Sequence, residues 1–482
     1  MRIGQTSIVV FLSKLTSSAL GFLGTIYFAR VLGAEVLGLY ALVIALVGWL
    51  KLGGSMGVGT AVTKRVSEGD EQGAYVAAGV LSTLAIGGLV SVLLLLGRGY
   101  LADYVGEFDA YVAVSVVWFV LALLAIKLFY KLVLAVLEGE RKVHLAGLLA
   151  PVRIGVATLV QIGLVIAGFS LAGLLVGYGV GGVLIGVLGL LYVSTSLERP
   201  RKRHFRSLYE YAKYAWLGGL KSRSFNDVDI LVLGAFVPTA LVGVYAVAWS
   251  IAKFLDLFGT AVSDTLFPEI SRATADGEDA TASQLVEDSL AYGGLIVVPG
   301  LVGGLLVGDR LLAIYGPEFV QGTAVLGLLL VATLLYGYQK QLLTALNAVD
   351  RPDLAFRINL AFITVNAVLN VVLVWQIGWR GAAIATALSA GIGLVLAYAA
   401  LTDVLAFRTP IREIGRQWVS AGLMGGGVWL VLELVETAEV GNLVAVPAVV
   451  AFGAGLYFTT LLGISGQFRR TVQRNLPLLS SR

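Results

Sequence analysis

The chain has 482 residues, of which 58% are hydrophobic and 13% charged, and its formal net charge is +4. An ordinary soluble domain carries about 25% charged residues, so the composition excludes that class. Continuous apolar runs, such as residues 81–96, 112–126 and 381–400, suit bilayer-spanning helices and exclude the alternating pattern of a β-barrel. The chain has no cysteine, which excludes disulfides and Cys-ligated metal centres. The small positive net charge does not indicate a nucleic-acid partner. In a membrane protein, the side of the bilayer on which Lys and Arg lie is more informative than their sum.

The apolar runs predict an all-α polytopic membrane protein with fourteen transmembrane helices. In chain order they lie at about 7–30, 35–61, 74–97, 110–137, 143–168, 170–196, 209–236, 240–266, 285–308, 320–348, 354–377, 380–403, 416–436 and 442–464. Twenty Lys and Arg residues fall in one alternate set of connections, and only four, Arg30, Arg98, Arg310 and Arg380, fall in the other. The positive-inside rule therefore predicts a multi-pass protein of the cytoplasmic membrane with both termini cytoplasmic.

The two halves of the chain repeat each other. Residues 31–41 (VLGAEVLGLYA) are similar to residues 232–246 (VLGAFVPTALVGVYA), and residues 101–108 (LADYVGEF) are similar to residues 312–319 (LAIYGPEF). Because the repeated unit has six helices, the two copies share one orientation and are expected to flank a cavity. The predicted domains are an N-terminal six-helix lobe at 1–196, a basic cytoplasmic linker at 197–208, a C-terminal six-helix lobe at 209–403, and helices 13 and 14 with a cytoplasmic tail at 404–482.

Small residues and histidines indicate helix packing rather than cofactor chemistry. Residues 177–182 match G-x-G-x-x-G but lie inside an apolar span and follow no strand, so they predict no dinucleotide site. The histidines, His144 and His204, lack neighbouring acidic ligands, so neither a metal site nor a cofactor is expected. Close helix packing is predicted at glycines spaced by four, which are Gly173, Gly177 and Gly181, then Gly300, Gly304 and Gly308, then Gly422 and Gly426.

Ionisable residues at membrane depth are costly and usually mark a functional site. They are densest in residues 218–231 (GGLKSRSFNDVDIL), where charges surround most of a helical wheel after two glycines. This pattern predicts a helix that is irregular or largely surrounded by a water-filled cavity. Candidate substrate-binding residues are Lys51, Lys127, Arg153, Lys221, Arg223 and Lys253; candidates for ion coupling or charge positioning are Asp227, Asp229 and Asp256; polar cavity candidates are Gln161, Asn226, Asn366 and Asn370.

Two interpretations of these polar residues are open. Arg223 could pair with Asp227 four residues later, and Lys253 with Asp256 three residues later, so the charges could simply neutralise each other. The asparagines could likewise serve interhelical hydrogen bonds. Cations outnumber acids within the spans and occur in both halves, however, which favours a partly hydrated cavity for an anionic substrate.

A resemblance to a known family covers nearly the whole chain. Residues 29–40 (ARVLGAEVLGLY) and 53–68 (GGSMGVGTAVTKRVSE) resemble the opening of the polysaccharide-synthesis branch of the MOP flippase superfamily, which includes the O-antigen flippases. Residues 229–253 (DILVLGAFVPTALVGVYAVAWSIAK) resemble the matching signature at spans seven and eight. The family has no universal catalytic motif, so the resemblance assigns no site residue.

The resemblance implies a MATE-like fold of two pseudo-symmetric six-helix lobes plus an extra helix pair. It also implies a flippase that moves an anionic lipid-linked oligosaccharide from the cytoplasmic to the outer leaflet by alternating access, for cell-surface polysaccharide or glycoprotein glycan assembly. The substrate would be a polyprenyl- or dolichyl-phosphate-linked glycan, with membrane lipid as surroundings and a glycan polymerase or transferase as a neighbour. The protein would be a monomer, energised by a Na⁺ or H⁺ gradient or by the substrate gradient.

Two other classes of membrane protein compete with the flippase. A MATE-like cation-coupled multidrug antiporter would be expected to show an acidic cavity, and the basic excess argues against it. A membrane enzyme acting on lipid-linked glycans would need a substantial loop with carboxylates. The longest outer connections, at residues 98–109 and 309–319, are too short to hold a catalytic domain.

Overall fold

The computed structural model describes residues 3–437 and 440–475, with all their side chains except those of residues 3–15, 18, 214, 217–219, 221, 222, 474 and 475. The described residues form α-helices and one 3₁₀ helix, and no strand occurs among them. The chain divides into two compact units, Met1–Ala246 (unit 1) and Val247–Arg482 (unit 2). The lobe boundaries expected from the repeat, at residues 196 and 209, stay a prediction.

The first nine helices lie in unit 1, and the tenth begins there and ends in unit 2. They are α1 (Ile3–Ser55), α2 (Val58–Glu68), α3 (Gln72–Leu96), α4 (Arg98–Val105), α5 (Phe108–Tyr111), α6 (Val116–Gly139), α7 (Val143–Ile166), α8 (Ser170–Tyr192), α9 (Lys202–Phe236) and α10 (Thr239–Ala275). Unit 2 continues with α11 (Asp279–Gly293), α12 (Val297–Ala313), the 3₁₀ helix Pro317–Gly322, α13 (Thr323–Ala348), α14 (Pro352–Ile377), α15 (Trp379–Thr402), α16 (Ile411–Thr437), α17 (Asn442–Ile464) and α18 (Gly466–Asn475).

The helices agree with an all-α multi-pass membrane protein. Twelve stretches of the described residues are long and apolar enough to cross a bilayer. One of them belongs to α1, which leaves helical geometry at Gly33 (φ 80°, ψ 176°) and so holds both the first and the second predicted spans. Positive φ is a conformation that glycine adopts without steric cost. With α1 counted as two spans and α9 as the seventh, the predicted number of fourteen is compatible with these helices.

Residues 218–231, for which an irregular helix was one of the two predictions, lie in the regular helix α9. α9 runs unbroken from Lys202 to Phe236 through both glycines. Residues 193–201 connect α8 to α9 and are not helical. The second part of the predicted linker, from Lys202 onward, already belongs to the first turns of α9. A glycine pair weakens a helix by about 1 kcal/mol per residue, which packing of the remaining 33 residues overrides.

Close packing of α7 on α8 follows from the predicted glycine spacing. A Cβ atom at Gly177 would lie 2.8 Å from the backbone nitrogen of Gln161, and one at Gly181 would lie 2.7 Å from the carbonyl oxygen of Arg153. The two helices therefore meet backbone to backbone at these positions, as small residues allow in membrane helices. This contact fixes the depth at which Arg153 and Gln161 lie relative to α8.

A second close approach joins equivalent positions of the repeated segments. Gly38 in α1 and Gly243 in α10 both belong to the repeated pattern Gly-x-Tyr-Ala. A Cβ at Gly38 would overlap the carbonyl oxygen of Thr239, and a Cβ at Gly243 would overlap the carbonyl oxygen of Ala34. Ala34 and Thr239 each lie four residues before the glycine of their own segment, so the contact is reciprocal. Both segments lie within unit 1.

In unit 2 the two additional helices, α16 and α17, pack on α12. Met424 of α16, Tyr457 of α17 and Val298 of α12 are buried in one apolar cluster. The glycines predicted to pack in unit 2 differ in whether a neighbouring side chain contacts them. Gly304 packs against Leu330, as predicted, whereas a Cβ at Gly422 or Gly426 would meet no atom within 4 Å among the described residues, so that prediction was wrong.

Candidate functional site

Five basic residues of unit 1 form a group within the long helices, here called the cation cluster: Lys51, Lys127, Lys131, Arg153 and Arg223. Lys127 lies near the middle of α6 and is only 5% exposed. Lys51 of α1 lies within electrostatic range of Lys127, Lys131 and Arg223. The structure thus brings together four of the six predicted substrate-binding residues, from α1, α6, α7 and α9. Their role in binding stays a prediction.

Two tyrosine rings organise the cluster. The guanidinium carbon of Arg153 lies 5.5 Å from the ring centre of Tyr178 and 5.6 Å from that of Tyr130. The Nζ atoms of Lys127 and Lys131 each lie 5.8 Å from one of the same rings, Tyr178 and Tyr130 respectively. A desolvated cation–π contact contributes about 2 kcal/mol, which helps to hold these cations at membrane depth.

Gly182 of α8 makes room for Tyr130. A Cβ at Gly182 would lie 3.2 Å from the Tyr130 ring and 2.6 Å from Ile126, both on α6. Neither tyrosine was among the predicted site residues, because an aromatic residue in an apolar span looks like an ordinary core residue. Tyr178 lies between two of the predicted packing glycines, Gly177 and Gly181, and that position was the available signal.

Carboxylates are scarce around the cation cluster. Among the ion pairs formed by described residues, the only one that involves the cluster joins Arg223 to Asp227 on α9. The pair is held against α1, because a Cβ at Gly48 would lie 2.5 Å from the guanidinium of Arg223 and 3.4 Å from the carboxylate of Asp227. The pairing expected from their four-residue spacing therefore occurs. Lys127 and Arg153 lie against tyrosine rings, Lys51 lies near other cations, and Lys131 lies against Tyr130 and near Glu138.

A cavity of about 320 Å³ opens beside the cluster in unit 1. Lys51, Lys131 and Glu138 supply its charged lining, and the hydroxyl-bearing residues around it are Ser55, Thr60, Thr63 and Thr83. The volume lies at the lower end of the range for ligand-binding sites. Hydroxyls and cations together suit the oxygen-rich surface of a phosphorylated sugar.

The remaining candidates of unit 1 lie on α7 and α9. Gln161 is buried and donates a hydrogen bond to the carbonyl oxygen of Leu174 (2.7 Å), and its amide lies 3.2 Å from the hydroxyl of Tyr40. Asp229 is 1% exposed and accepts a hydrogen bond from the hydroxyl of Tyr245. Asn226 is half-buried on α9. The side chain of Lys221 lies outside the described residues.

In unit 2, Asp256 pairs with a residue that the sequence analysis did not select. The Nζ atom of Lys340 on α13 lies 2.7 and 2.6 Å from the two carboxylate oxygens of Asp256 on α10 and 2.7 Å from the hydroxyl of Thr260. Lys253, the partner suggested by sequence spacing, lies over the ring of Trp249 at 5.3 Å. Lys340 was recognisable as a cation within the predicted span at 320–348, but its partner is distant in sequence.

The two asparagine candidates of α14 are fully buried. The side-chain amide of Asn366 lies 3.4 Å from the hydroxyl of Thr386 on α15, and the amide of Asn370 donates to the carbonyl oxygen of Asn366 at 3.1 Å. A contact between α14 and α15 agrees with the interhelical alternative for Asn366. Substrate contact by either asparagine stays a prediction.

Glu140, which follows α6, binds the connection between α8 and α9. Its carboxylate accepts hydrogen bonds from the backbone nitrogens of Ser194 (2.9 Å) and Thr195 (2.8 Å) and from the Nζ atom of Lys142 (2.7 Å). Burial opposes ionisation of Glu140, but these hydrogen bonds outweigh it and lower the pKa of the carboxyl below its usual value. The connection after α8 is thereby tied to the turn between α6 and α7.

Glu71 binds the first turn of α9, just after this connection. It accepts hydrogen bonds from Arg203 and from Nε2 of His204, which lies 3.0 Å away. Nδ1 of His204 accepts from the backbone nitrogen of Arg201 at 2.9 Å, so the ring proton lies on Nε2, toward Glu71. The hydrogen bond from His204, together with the nearby Arg203, lowers the pKa of Glu71. His204 therefore links the start of α9 to Glu71.

Comparisons with known proteins agree with this architecture. A family model described as "Polysaccharide biosynthesis protein" matches residues 27–322. Two proteins of Haloferax volcanii are similar over nearly their full lengths. "Probable flippase AglR" is 34% identical over 481 residues, or 98% of each chain. "Probable low-salt glycan biosynthesis flippase Agl15" is 29% identical over 482 residues, or 99% of each chain.

Solved structures show the same fold at low sequence identity. The lipid II flippase MurJ in an inward closed conformation superposes with a TM-score of 0.76 at 15% identity and covers 97% of this chain and 99% of its own. A multidrug resistance MATE family transporter of the MOP superfamily superposes with a TM-score of 0.64 at 15% identity over 82% of this chain and 98% of its own. The chain thus has a MurJ- and MATE-like fold and belongs to the polysaccharide biosynthesis protein family.

Proposed function

We propose that this protein is a flippase that moves an anionic lipid-linked oligosaccharide from the cytoplasmic to the outer leaflet by alternating access. Two relatives that match the chain over at least 98% of its length are named as flippases, and one of the names includes glycan biosynthesis. The observation in this chain that carries the proposal is the cation cluster of unit 1. Basic groups at membrane depth with few carboxylates nearby favour an anionic ligand.

In the proposed mechanism the cluster binds the phosphate that joins lipid to glycan. Lys127 and Arg153 supply positive charge, while Tyr130 and Tyr178 fix their positions through the ring faces. Arg223 can exchange its contact with Asp227 for the phosphate, so that Asp227 positions the guanidinium in the empty state. The hydroxyls of the neighbouring cavity donate hydrogen bonds to sugar oxygens and accept them from sugar hydroxyls.

The multidrug antiporter is the second candidate, since a MATE transporter shares the fold. Extrusion of cationic drugs would need carboxylates facing the substrate. Asp256 and Asp227 are each held by a basic partner, and Asp229 by a tyrosine hydroxyl. The charge distribution therefore supports an anionic cargo. The flippase names of the relatives also support a transporter rather than an enzyme.

Several finer properties belong to the proposal. The protein lies in the cytoplasmic membrane with both termini cytoplasmic, as the distribution of twenty against four basic residues favours. It carries a polyprenyl- or dolichyl-phosphate-linked glycan as a monomer, beside a glycan polymerase or transferase. It needs no cofactor. Either a Na⁺ or H⁺ gradient or the concentration gradient of the substrate drives it.

The test is flipping of a fluorescent lipid-linked oligosaccharide in proteoliposomes, measured by quenching of the exposed leaflet. We expect Lys127→Gln and Arg153→Gln each to lose a charged contact with phosphate of about 1.5–3 kcal/mol, which lowers the flipping rate roughly ten- to hundredfold. The matched control is Arg206→Gln, because this side chain is 83% exposed at the start of α9. A wild-type protein that does not flip the probe would refute the function. Undiminished flipping by both cluster variants would refute the role of the cluster.

A further inference from the structure

An apolar groove runs along the exposed surface of unit 1 between α3, α6 and α8. Its volume is about 660 Å³, within the range of ligand-binding pockets. Leu84, Phe129 and Leu190 contribute to its lining, which continues to Leu197 beyond the end of α8. Leu84 is 67% exposed and Leu190 is 50% exposed, so the groove opens outward. An apolar surface of this kind accepts a hydrocarbon chain.

The groove adjoins the polar cavity that holds Lys51 and Lys131. Thr83, Leu128 and Leu132 line both spaces, so the wall between them is one layer of side chains. On one side of this wall lie cations and hydroxyls, and on the other lie aliphatic side chains. Together the two spaces match the two chemical parts of a phospholipid-like molecule, a charged head and an apolar tail.

Leu128 fills the gap between two glycines in this wall. A Cβ at Gly54 of α1 would lie 3.5 Å from its Cδ1 atom, and a Cβ at Gly87 of α3 would lie 2.8 Å from the same atom. The gap is thus closed by one flexible aliphatic side chain and bordered by backbone. A different rotamer of Leu128 would widen the space between Gly54 and Gly87.

We propose that the groove holds the hydrocarbon chain of the lipid-linked substrate while its phosphate lies beside Lys51 and Lys131. This inference rests on the proposed function and names the path of the lipid part. The depth of the cations selects this occupant over an ordinary membrane lipid. Lys131 lies eight residues, about 12 Å of helix, from the end of α6 at Gly139. A bilayer lipid keeps its phosphate at the interface, whereas a lipid in transit must bring its phosphate to this depth.

The absence of cysteine from the chain makes a site-directed crosslink straightforward. Leu84→Cys places a thiol in the groove, and Leu89→Cys is the matched control on the same helix, with 67% and 60% exposure respectively. Each thiol is modified with benzophenone maleimide in vesicles of phosphatidylglycerol that contain a trace of radiolabelled dolichyl phosphate. We expect irradiation to give several-fold more dolichyl phosphate adduct, relative to phosphatidylglycerol adduct, at position 84 than at position 89.

A second pair of variants links the groove to the cations. Lys51→Gln with Lys131→Gln in the Leu84→Cys protein should lower the dolichyl phosphate adduct several-fold and leave the phosphatidylglycerol adduct unchanged. Equal adduct ratios at positions 84 and 89, or no effect of the double substitution, would overturn the inference and make the groove a contact for ordinary membrane lipid.

Flipping of the fluorescent oligosaccharide by the wild-type protein is measured in parallel. Active flipping with unselective crosslinking overturns the tail site and leaves the proposed function intact. Selective crosslinking by a protein that does not flip confirms the lipid site and refutes the proposed function.

Discussion

At the scale of single residues, the charges within the helices fall into two kinds. The basic residues of α6 and α7 rest on tyrosine faces, and Lys127 and Arg153 share the ring of Tyr178. In unit 2, by contrast, Asp256 is neutralised by Lys340 from another helix. A buried cation with an aromatic neighbour can still take up an anion, whereas one bound to a carboxylate must first give up that partner. The first kind is suited to binding and the second to holding helices together.

The pair of Asp256 and Lys340 gives a prediction about stability. Both side chains are less than one-fifth exposed, so Lys340→Met leaves Asp256 without its cation and should destabilise the protein by about 3 kcal/mol. Adding Asp256→Asn removes the stranded charge, and the double variant should recover most of the loss. Thermal unfolding in detergent measures both effects.

The exposed pair of Arg351 and Asp353 is the control, where Arg351→Met should change stability by less than about 1 kcal/mol. If the losses of the two single variants simply add in the double variant, the pair contributes no coupling.

At the scale of helices, glycines decide which backbones meet. Gly177 and Gly181 bring α8 against the backbone of α7, which carries Arg153, and Gly48 leaves space on α1 for the guanidinium of Arg223. The positions of the basic side chains therefore depend on residues that have no side chain of their own. The four-residue spacing of glycines predicted the α7–α8 contact, but Gly422 and Gly426, with the same spacing, face open space. Spacing alone does not say which face of a helix a neighbour will cover.

The contact at Gly38 gives a prediction with opposite signs at two glycines. Gly38→Ala puts a methyl group onto the carbonyl oxygen of Thr239, so α1 and α10 must separate and thermal stability should fall. Gly163→Ala on α7 meets nothing within 4 Å and should stabilise its helix by about 0.5–1 kcal/mol. Thermal unfolding of the two variants side by side is the measurement. Stabilisation by both substitutions would mean that the α1–α10 contact is looser than described.

At the scale of the whole molecule, the spans were predictable because length and apolarity are local properties. The ends of α14, α15 and α17 lie within two residues of the predicted spans. Lys340 and Tyr130 were missed because their importance comes from neighbours on other helices, which periodicity does not reveal. The helical continuity of α9 through Gly218 and Gly219 was likewise missed, since packing outweighs local propensity there. The binding roles of the candidate residues stay predictions.

Topology is tested on the intact cell. Asp109→Cys lies in a connection predicted to be outside, and Ser196→Cys lies in the connection before α9 that is predicted to be cytoplasmic; both positions are exposed. Because the chain has no other cysteine, a membrane-impermeant maleimide should label only the first variant in intact cells. Both should react after permeabilisation, which serves as the control. Labelling of Ser196→Cys in intact cells would reverse the orientation deduced from the basic residues.

The reciprocal contact of Gly38 with Thr239 and of Gly243 with Ala34 has the form of an isologous dimer interface, in which one surface meets its own copy. In a homodimer each substitution appears on both sides of the symmetry axis. In a duplicated chain the two sides are encoded separately, so one copy can change while the other keeps its residue. The interiors of the two units differ in this way: unit 1 holds tyrosine-supported cations, and unit 2 holds the neutralised Asp256–Lys340 pair. The glycine contact thus keeps a two-fold form inside a single polypeptide, where a substitution at Gly38 leaves Gly243 unchanged.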